Sequence, residues 1–165
     1  MTPQIVQADL WNVPPDQIGQ TVFVVTTNNV ITPKGLVMGA GAAKQAATRY
    51  PGLPRRAAAA IRADRAIHPG ADDYGFLMVD WPLPQSVLRS GLGLFQVKRH
   101  YRLPADLNLI RLSVEGLTAT AICYARFLFR LNFPGIGEKT GQLARTQVEP
   151  LLANLPDNVT ICWRV

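Results

Sequence analysis

Cysteine is nearly absent from this chain of 165 residues: only Cys123 and Cys162 occur, each in an apolar stretch and without metal-ligand spacing. A disulfide framework is therefore excluded, and reduced, buried thiols in a cytoplasmic protein are expected. Histidine is equally scarce. His68 and His100 stand apart, with no cluster of Cys, Asp or Glu beside them, so no metal site is expected. Long hydrophobic runs are missing as well, because charges and prolines interrupt every stretch before the ~18 residues of a membrane span. Met1-Thr2-Pro3-Gln4 lacks the basic start and apolar core of a signal peptide. No membrane association is expected. Ser86, Ser90 and Ser113 lack a nucleophile-elbow context, which leaves a serine hydrolase unsupported.

What the chain does contain is a compact apolar composition, 48% hydrophobic against 17% charged, as one domain over 1–165 would have. The charge has a sign. A formal net charge of +6 favours a phosphate-bearing partner. In the sequence the Lys and Arg residues look dispersed, with short pairs at Arg55-Arg56 and Lys98-Arg99. No recognition helix and no basic strand studded with aromatics is visible.

Strand and helix patterns alternate. Strands are expected at Ile5 to Trp11, Thr21 to Thr27, Tyr74 to Trp81, Gly93 to Val97, Arg126 to Asn132 and Val159 to Trp163. Helices are expected from Gly39 to Tyr50, from Arg55 to about Ala66, through Leu107, Ile110, Val114, Leu117 and Ala121, and through Val148, Leu151, Leu152 and Leu155. Pro51-Gly52-Leu53-Pro54 separates the first two helices, and the arginines of the second read as a solvated face. The alternation implies a layered α/β fold with a largely parallel sheet.

Two Gly-rich loops follow strands, Gly35 to Gly41 and Gly135 to Gly141. Beyond the carboxyl ends of parallel strands, such loops can wall a cleft for a diphosphate, with helix N–H groups aimed at the anion. Each is equally readable as a tight turn. Neither is a standard nucleotide motif. Gly39-Ala40-Gly41-Ala42-Ala43-Lys44 has Lys where the dinucleotide fingerprint requires its third Gly, and Glu138 occupies the glycine position before Lys139-Thr140 of a P-loop. Asp9 is an acid suited to a base's exocyclic amine or, as readily, to a turn before Pro14-Pro15.

Taken in order, these pieces resemble a macro domain, the ADP-ribose-binding module, and most nearly its branch of DNA-ADP-ribose antitoxins and terminal ADP-ribose glycohydrolases. Ala8-Asp9-Leu10 resembles the first-strand Gly-Asp-aliphatic motif, and Val24-Val25-Thr26-Thr27-Asn28 the Val-Asn-x-x-Asn strand end. Val37-Met38-Gly39-Ala40-Gly41-Ala42-Ala43 is similar to the diphosphate loop. Phe95-Gln96-Val97-Lys98-Arg99-His100-Tyr101-Arg102 resembles Phe-Pro-Thr-Lys-x-His-Trp-Arg, and Pro134-Gly135-Ile136-Gly137 with Gly141 and Leu143 resembles the second phosphate loop. The resemblance implies a three-layer α/β/α fold with a mixed, largely parallel sheet of about six strands. It implies ADP-ribose as ligand and no cofactor. Partners would be ADP-ribose itself or ADP-ribosylated protein or nucleic acid.

By the same resemblance Asp9 and Leu10 take the adenine, and Asn28 meets the distal ribose. Met38, Gly39, Ala40, Gly41 and Ala42 form one phosphate wall. Pro134, Gly135, Ile136, Gly137, Glu138, Lys139, Thr140 and Gly141 form the other. Lys98 is expected to be an architectural or cleft-edge residue and not a catalytic one. Several positions depart from the family. Val25 replaces the first Asn of the strand end, Glu138-Lys139-Thr140 replaces Cys-Gly-Asn, and Gln142 replaces a glycine. Counting from Met38-Gly39 places the covalent lysine of related hydrolases at Ala47, with Lys44 one helical turn away. Candidate catalytic groups are therefore Asn28, Lys44 and Glu138. Three functions stay open: hydrolysis of an ADP-ribosyl linkage, non-catalytic reading or sensing of ADP-ribose or a related nucleotide metabolite, and nucleic-acid binding by a basic α/β protein.

Overall fold

The computed structural model describes residues 2–79, 91–136 and 141–164. Thr21–Thr27 (β2) is the central strand, with parallel neighbours Leu128–Asn132 (β7) on one side and Leu92–Gln96 (β6) on the other. Val159–Trp163 (β8) pairs parallel with β7, and Gln4–Gln7 (β1) pairs parallel with β8. Phe76–Val79 (β5) closes the other edge, antiparallel to β6. The order is β1-β8-β7-β2-β6-β5, a mixed, mostly parallel sheet of six strands. A two-residue hairpin, Ile31–Thr32 (β3) with Gly35–Leu36 (β4), stands apart from it.

Strand periodicity divides β2 between two cores. Val22 and Val24 join the cluster that contains Ile110, Val114 and Leu117 of Leu107–Cys123 (α3) and Val148 and Leu152 of Arg145–Leu152 (α4). Phe23 and Val25 face the opposite way, against Ala43 and Ala46 of Gly41–Arg49 (α1) and Leu53, Ala57 and Ile61 of Leu53–Ile67 (α2). The result is the expected three-layer α/β/α arrangement, α1 and α2 on one face and α3 and α4 on the other. Among the described residues no helix is long and apolar enough to cross a membrane.

Several boundaries differ from the sequence reading. The first strand ends at Gln7, because the Asp9 carboxylate accepts the Trp11 N–H at 2.9 Å and turns the chain. Helix α1 starts at Gly41, two residues late, and α2 starts at Leu53, two early. Pro54 is accommodated in the first turn, where no N–H is needed. The fourth helix spans Arg145–Leu152, so Leu155 lies beyond it although fully buried. Cys162 is buried as expected, but Cys123, at the end of α3, is exposed. Asp80 and Trp81 of the expected third strand lie outside the described residues. The β3–β4 hairpin was read as loop; two-residue strands carry too little pattern to detect. Gly35 there has φ of +114°, and a Cβ on it would lie 2.4 Å from the Pro54 carbonyl carbon, so β4 packs directly on the start of α2.

Gln96 is the buried polar hinge of the sheet edge. Its side-chain oxygen accepts the Tyr74 and Gly75 N–H groups at 3.0 and 3.1 Å, and its amide donates to Asp73 at 3.1 Å. Ser113 on α3 closes the network, its hydroxyl 2.7 Å from the Gln96 carbonyl. Replacing the amide with a hydrocarbon would orphan two buried N–H groups, each costing about 1–3 kcal/mol. Gln96→Leu is expected to lower urea-unfolding stability by about 2–4 kcal/mol, and a loss below about 1 kcal/mol would contradict this role.

Candidate functional site

The parallel strands end on the same edge, and residues at the ends of β2, β6 and β7 line a cavity of about 360 Å³. Thr26 and Thr27 end β2 and Asn28 follows it, Val97 and Lys98 follow β6, and Asn132 ends β7 with Phe133 after it. Val37 through Ala43 supply one wall, and Gly135, Ile136 and Gly141 the other. Tyr101 completes the lining. The volume lies within the range of small-molecule sites.

The first wall is held by Asn28. Its side-chain oxygen accepts the Val30 N–H at 2.9 Å, and its amide donates to the Val37 carbonyl at 2.9 Å. Those bonds close the base of the β3–β4 hairpin and deliver Val37-Met38-Gly39 to the cavity. Tyr74 supports the same point from below, donating to the Asn28 carbonyl at 2.6 Å with Thr27 Oγ1 2.5 Å from its hydroxyl. Burial pushes the Tyr74 phenol far above its ordinary range, so it remains a donor at every working pH.

The wall ends in an open helix terminus. Ala40 occupies the N-cap position of α1 and has no side-chain acceptor to offer, and the first intrahelical bond runs from Lys44 N–H to Ala40 O. The N–H groups before it have no partner within the helix. Glycines at 39 and 41 leave open space where Cβ atoms would stand. Uncapped N–H groups at the positive end of a helix, lining a cavity, suit an anion.

The second wall is pinched shut at its base. A Cβ on Gly141 would lie 2.1 Å from the Gly135 carbonyl carbon, so the two backbones touch where the loop begins and ends. Leu143 N–H donates to Gly135 O at 2.9 Å and Ala105 N–H to Gly141 O at 2.8 Å, fixing the crossing to the start of α3. Gly137, Glu138, Lys139 and Thr140, expected as ligand-binding or catalytic residues, lie outside the described residues. Gln142, which stands in place of a family glycine, is exposed and holds φ at +63°.

The cavity gathers Asn28, Met38, Gly39, Ala40, Gly41, Ala42, Gly135, Ile136 and Gly141 from the expected set. It does not gather Asp9 or Leu10. Asp9 sits at the same sheet edge beyond β1, with Arg164 3.4 Å from its carboxylate, while Leu10 is buried in the α1–α2 core. Arg130 ties both to β7 by donating to their carbonyls at 2.8 and 2.9 Å. Pro134 does not line the cavity either, nor does Lys44, which is exposed on α1. Ala47, the position counted for a covalent lysine, packs against the α1–α2 core.

Among the described residues the lysine that lines the cavity is Lys98, after β6. Its ammonium donates to the Tyr101 carbonyl at 3.4 Å, and desolvation lowers its pKa below the usual lysine range. Sequence reasoning placed Lys98 at the cleft edge, which is where it lies. Asn132 was not singled out. Its amide donates to Thr26 Oγ1 at 2.8 Å and its oxygen accepts Thr26 N–H at 3.0 Å, completing the β2–β7 ladder beyond its last strand pair. A polar Asn at the end of an otherwise largely apolar strand was the available signal. Tyr101, stacked on His100 at 4.3 Å between ring centroids, lies within the Phe95 to Arg102 motif, which by itself does not mark it as a cavity residue. Among the described residues no three His, Cys, Asp or Glu side chains come together to hold a metal.

No protein-family profile and no curated protein sequence matches the chain. Solved structures do. The macrodomain of Thermus aquaticus DarG superposes with a TM-score of 0.70 at 19% identity, over 98% of this chain and 97% of that one. The chain has the macro-domain fold. Thermosipho africanus DarTG, solved in complex with ADP-ribose, gives a TM-score of 0.71 at 17% identity, with 98% of this chain covering 41% of that one. A macrodomain protein from Streptomyces coelicolor gives 0.60 at 18% identity, over 96% of this chain and 97% of that one. At these identities the macro-domain likeness is one of backbone. The chemistry of the cleft rests on its own side chains.

The crossing of the second wall makes a paired prediction. Gly141→Ala should cost about 3 kcal/mol or more in urea unfolding, since backbone cannot move aside as a side chain can. Gln142→Gly should gain about 0.5–1 kcal/mol by relieving left-handed strain at an exposed position. A Gly141→Ala variant as stable as wild type would refute the close crossing.

Proposed function

We propose that the cleft binds ADP-ribose and hydrolyses an ADP-ribosyl linkage on protein or nucleic acid. One observation carries the reading: the uncapped start of α1, with Gly39 through Ala43 lining a cavity opposite the Gly135–Gly141 crossing. Two backbone walls rich in glycine suit a diphosphate, which needs donors close by and no Cβ in the way. Thermosipho africanus DarTG, which has the same fold, is solved in complex with ADP-ribose, and this supports the choice of ligand.

In this reading the diphosphate lies over the N-terminus of α1 and the distal ribose reaches Asn28, Asn132 and Lys98. The adenine extends toward Asp9, whose carboxylate accepts its amine in exchange for Arg164. Asn28 serves by shaping the wall, since its amide is already bonded to Val37. Lys98 takes the covalent role that the family resemblance assigns to a lysine, against the expectation that Lys98 is not catalytic and in place of Ala47 and Lys44. Its neutral amine attacks the anomeric carbon, and the bond to the modified group breaks as that group leaves with a proton. Water then attacks the same carbon, releasing ADP-ribose and restoring the amine. A lowered pKa raises the neutral fraction, so the rate should climb with pH and level off below the ordinary lysine range.

Asp9→Ala should weaken ADP-ribose binding about tenfold by calorimetry, near 1.4 kcal/mol, while leaving ribose 5-phosphate within about twofold. Equal losses would remove Asp9 from the adenine end. Lys98→Met should abolish release of ADP-ribose from modified protein or DNA yet retain ADP-ribose binding. If wild type binds ADP-ribose and releases none, the protein is a reader rather than a hydrolase.

A further inference from the structure

The positive charge is not dispersed in three dimensions. Seven Lys and Arg residues fall between positions 34 and 68 against one carboxylate, Asp64, while in the rest of the chain ten cations and ten carboxylates cancel. The whole net charge of +6 therefore belongs to the hairpin turn, α1 and α2. These elements share one face of the sheet, and all seven cationic side chains are exposed. Asp64 is engaged with His68 at 3.4 Å and neutralises none of them. Among the described residues Lys34, Lys44, Arg55 and Arg62 have no side-chain partner. Arg55 and Arg62, seven residues apart, lie in line along α2 about 10 Å apart. The α3–α4 layer carries no such excess.

A one-signed, unneutralised layer sets up a field that selects polyanions. The surface chemistry narrows the choice. Guanidinium forks match phosphate oxygens, and alanines between the arginines let a backbone approach closely. Ile67, at the end of α2, is the one large exposed hydrophobic residue described on this layer, so it lacks the apolar wedge of a helix that inserts into lipid. It also lacks the buried aromatic anchors of a protein interface. We propose that the α1–α2 layer is a docking surface for the phosphodiester backbone of nucleic acid, separate from the cleft. The layer adjoins the cleft, because α1 begins at the cleft rim.

The test uses fluorescence anisotropy with the full chain and a labelled, unmodified DNA duplex over about 50–200 mM salt. Four unpaired cations give a slope of log K against log salt of about −3 to −4. Arg55→Glu/Arg62→Glu should weaken binding at least tenfold and flatten that slope by about 2. Arg111→Glu/Arg126→Glu, exposed on the opposite side and equal in charge change, should stay within about threefold. Equal losses in both pairs, no wild-type binding at about 50 mM salt, or tighter binding to anionic phospholipid vesicles than to the duplex would each overturn the proposal. An unchanged Tm in both pairs shows intact folding without reference to what the cleft binds, so failure here and failure of the ADP-ribose reading are separate results.

Discussion

Where β2 leaves the sheet, the chain must satisfy buried backbone groups that no further strand can reach, and Asn28 with Tyr74 does so. Tyr74 donates to the Asn28 carbonyl, and the Asn28 side chain bonds Val30 and Val37. An unpaired group at this depth costs about 1–3 kcal/mol, so the hairpin that follows is drawn back over the strand end rather than left in solvent. From that return come the position of Val37-Met38-Gly39 and the entry of the chain into α1. Gln96 anchors Tyr74 in turn, which links β6 to the same point. The cleft is thus a consequence of backbone accounting at one strand terminus.

The two walls reach similar surfaces by different means. The first depends on the absence of a cap, since Ala40 leaves helix N–H groups open to the cavity. The second depends on backbone contact between Gly135 and Gly141, which leaves no room for a side chain at Gly141. Neither wall brings a charged side chain of its own among the described residues, so the binding field is one of oriented peptide dipoles. Lys98 adds the ionisable amine, held at the margin by the Tyr101 carbonyl and partly stripped of water. Outside the cleft, the exposed cations of α1 and α2 add a field of much longer reach, damped by salt more strongly than the partly enclosed dipoles of the cleft.

Much of the fold is legible in the chain itself. The β-branched run Thr21 to Thr27 and the final Val159 to Trp163 have the bounds their patterns suggest, because strands covered on both faces are apolar without interruption. The hairpin escaped notice, having two residues to a strand. Asp9 read as the end of a strand and proved to begin a turn, since an Asp can bond its own backbone two residues on. Arginines that looked scattered form one face, because layer assignment is a property of the packing.

In the site the same division holds. Local chemistry determined Asn28, the open glycines at 39 and 41 and the loop from Gly135, since strand ends and helix starts write their needs into nearby residues. Which distant groups meet there was decided by the tertiary structure alone. Counting along α1 pointed to Ala47, yet that side faces the core, and the amine in the cleft arrives from the loop after β6. Asn132 joins Thr26 across 106 positions of sequence. Composition and periodicity constrain what each segment becomes; only the order of strands in the sheet brings the ends of β2, β6 and β7 side by side, and the cavity exists between them.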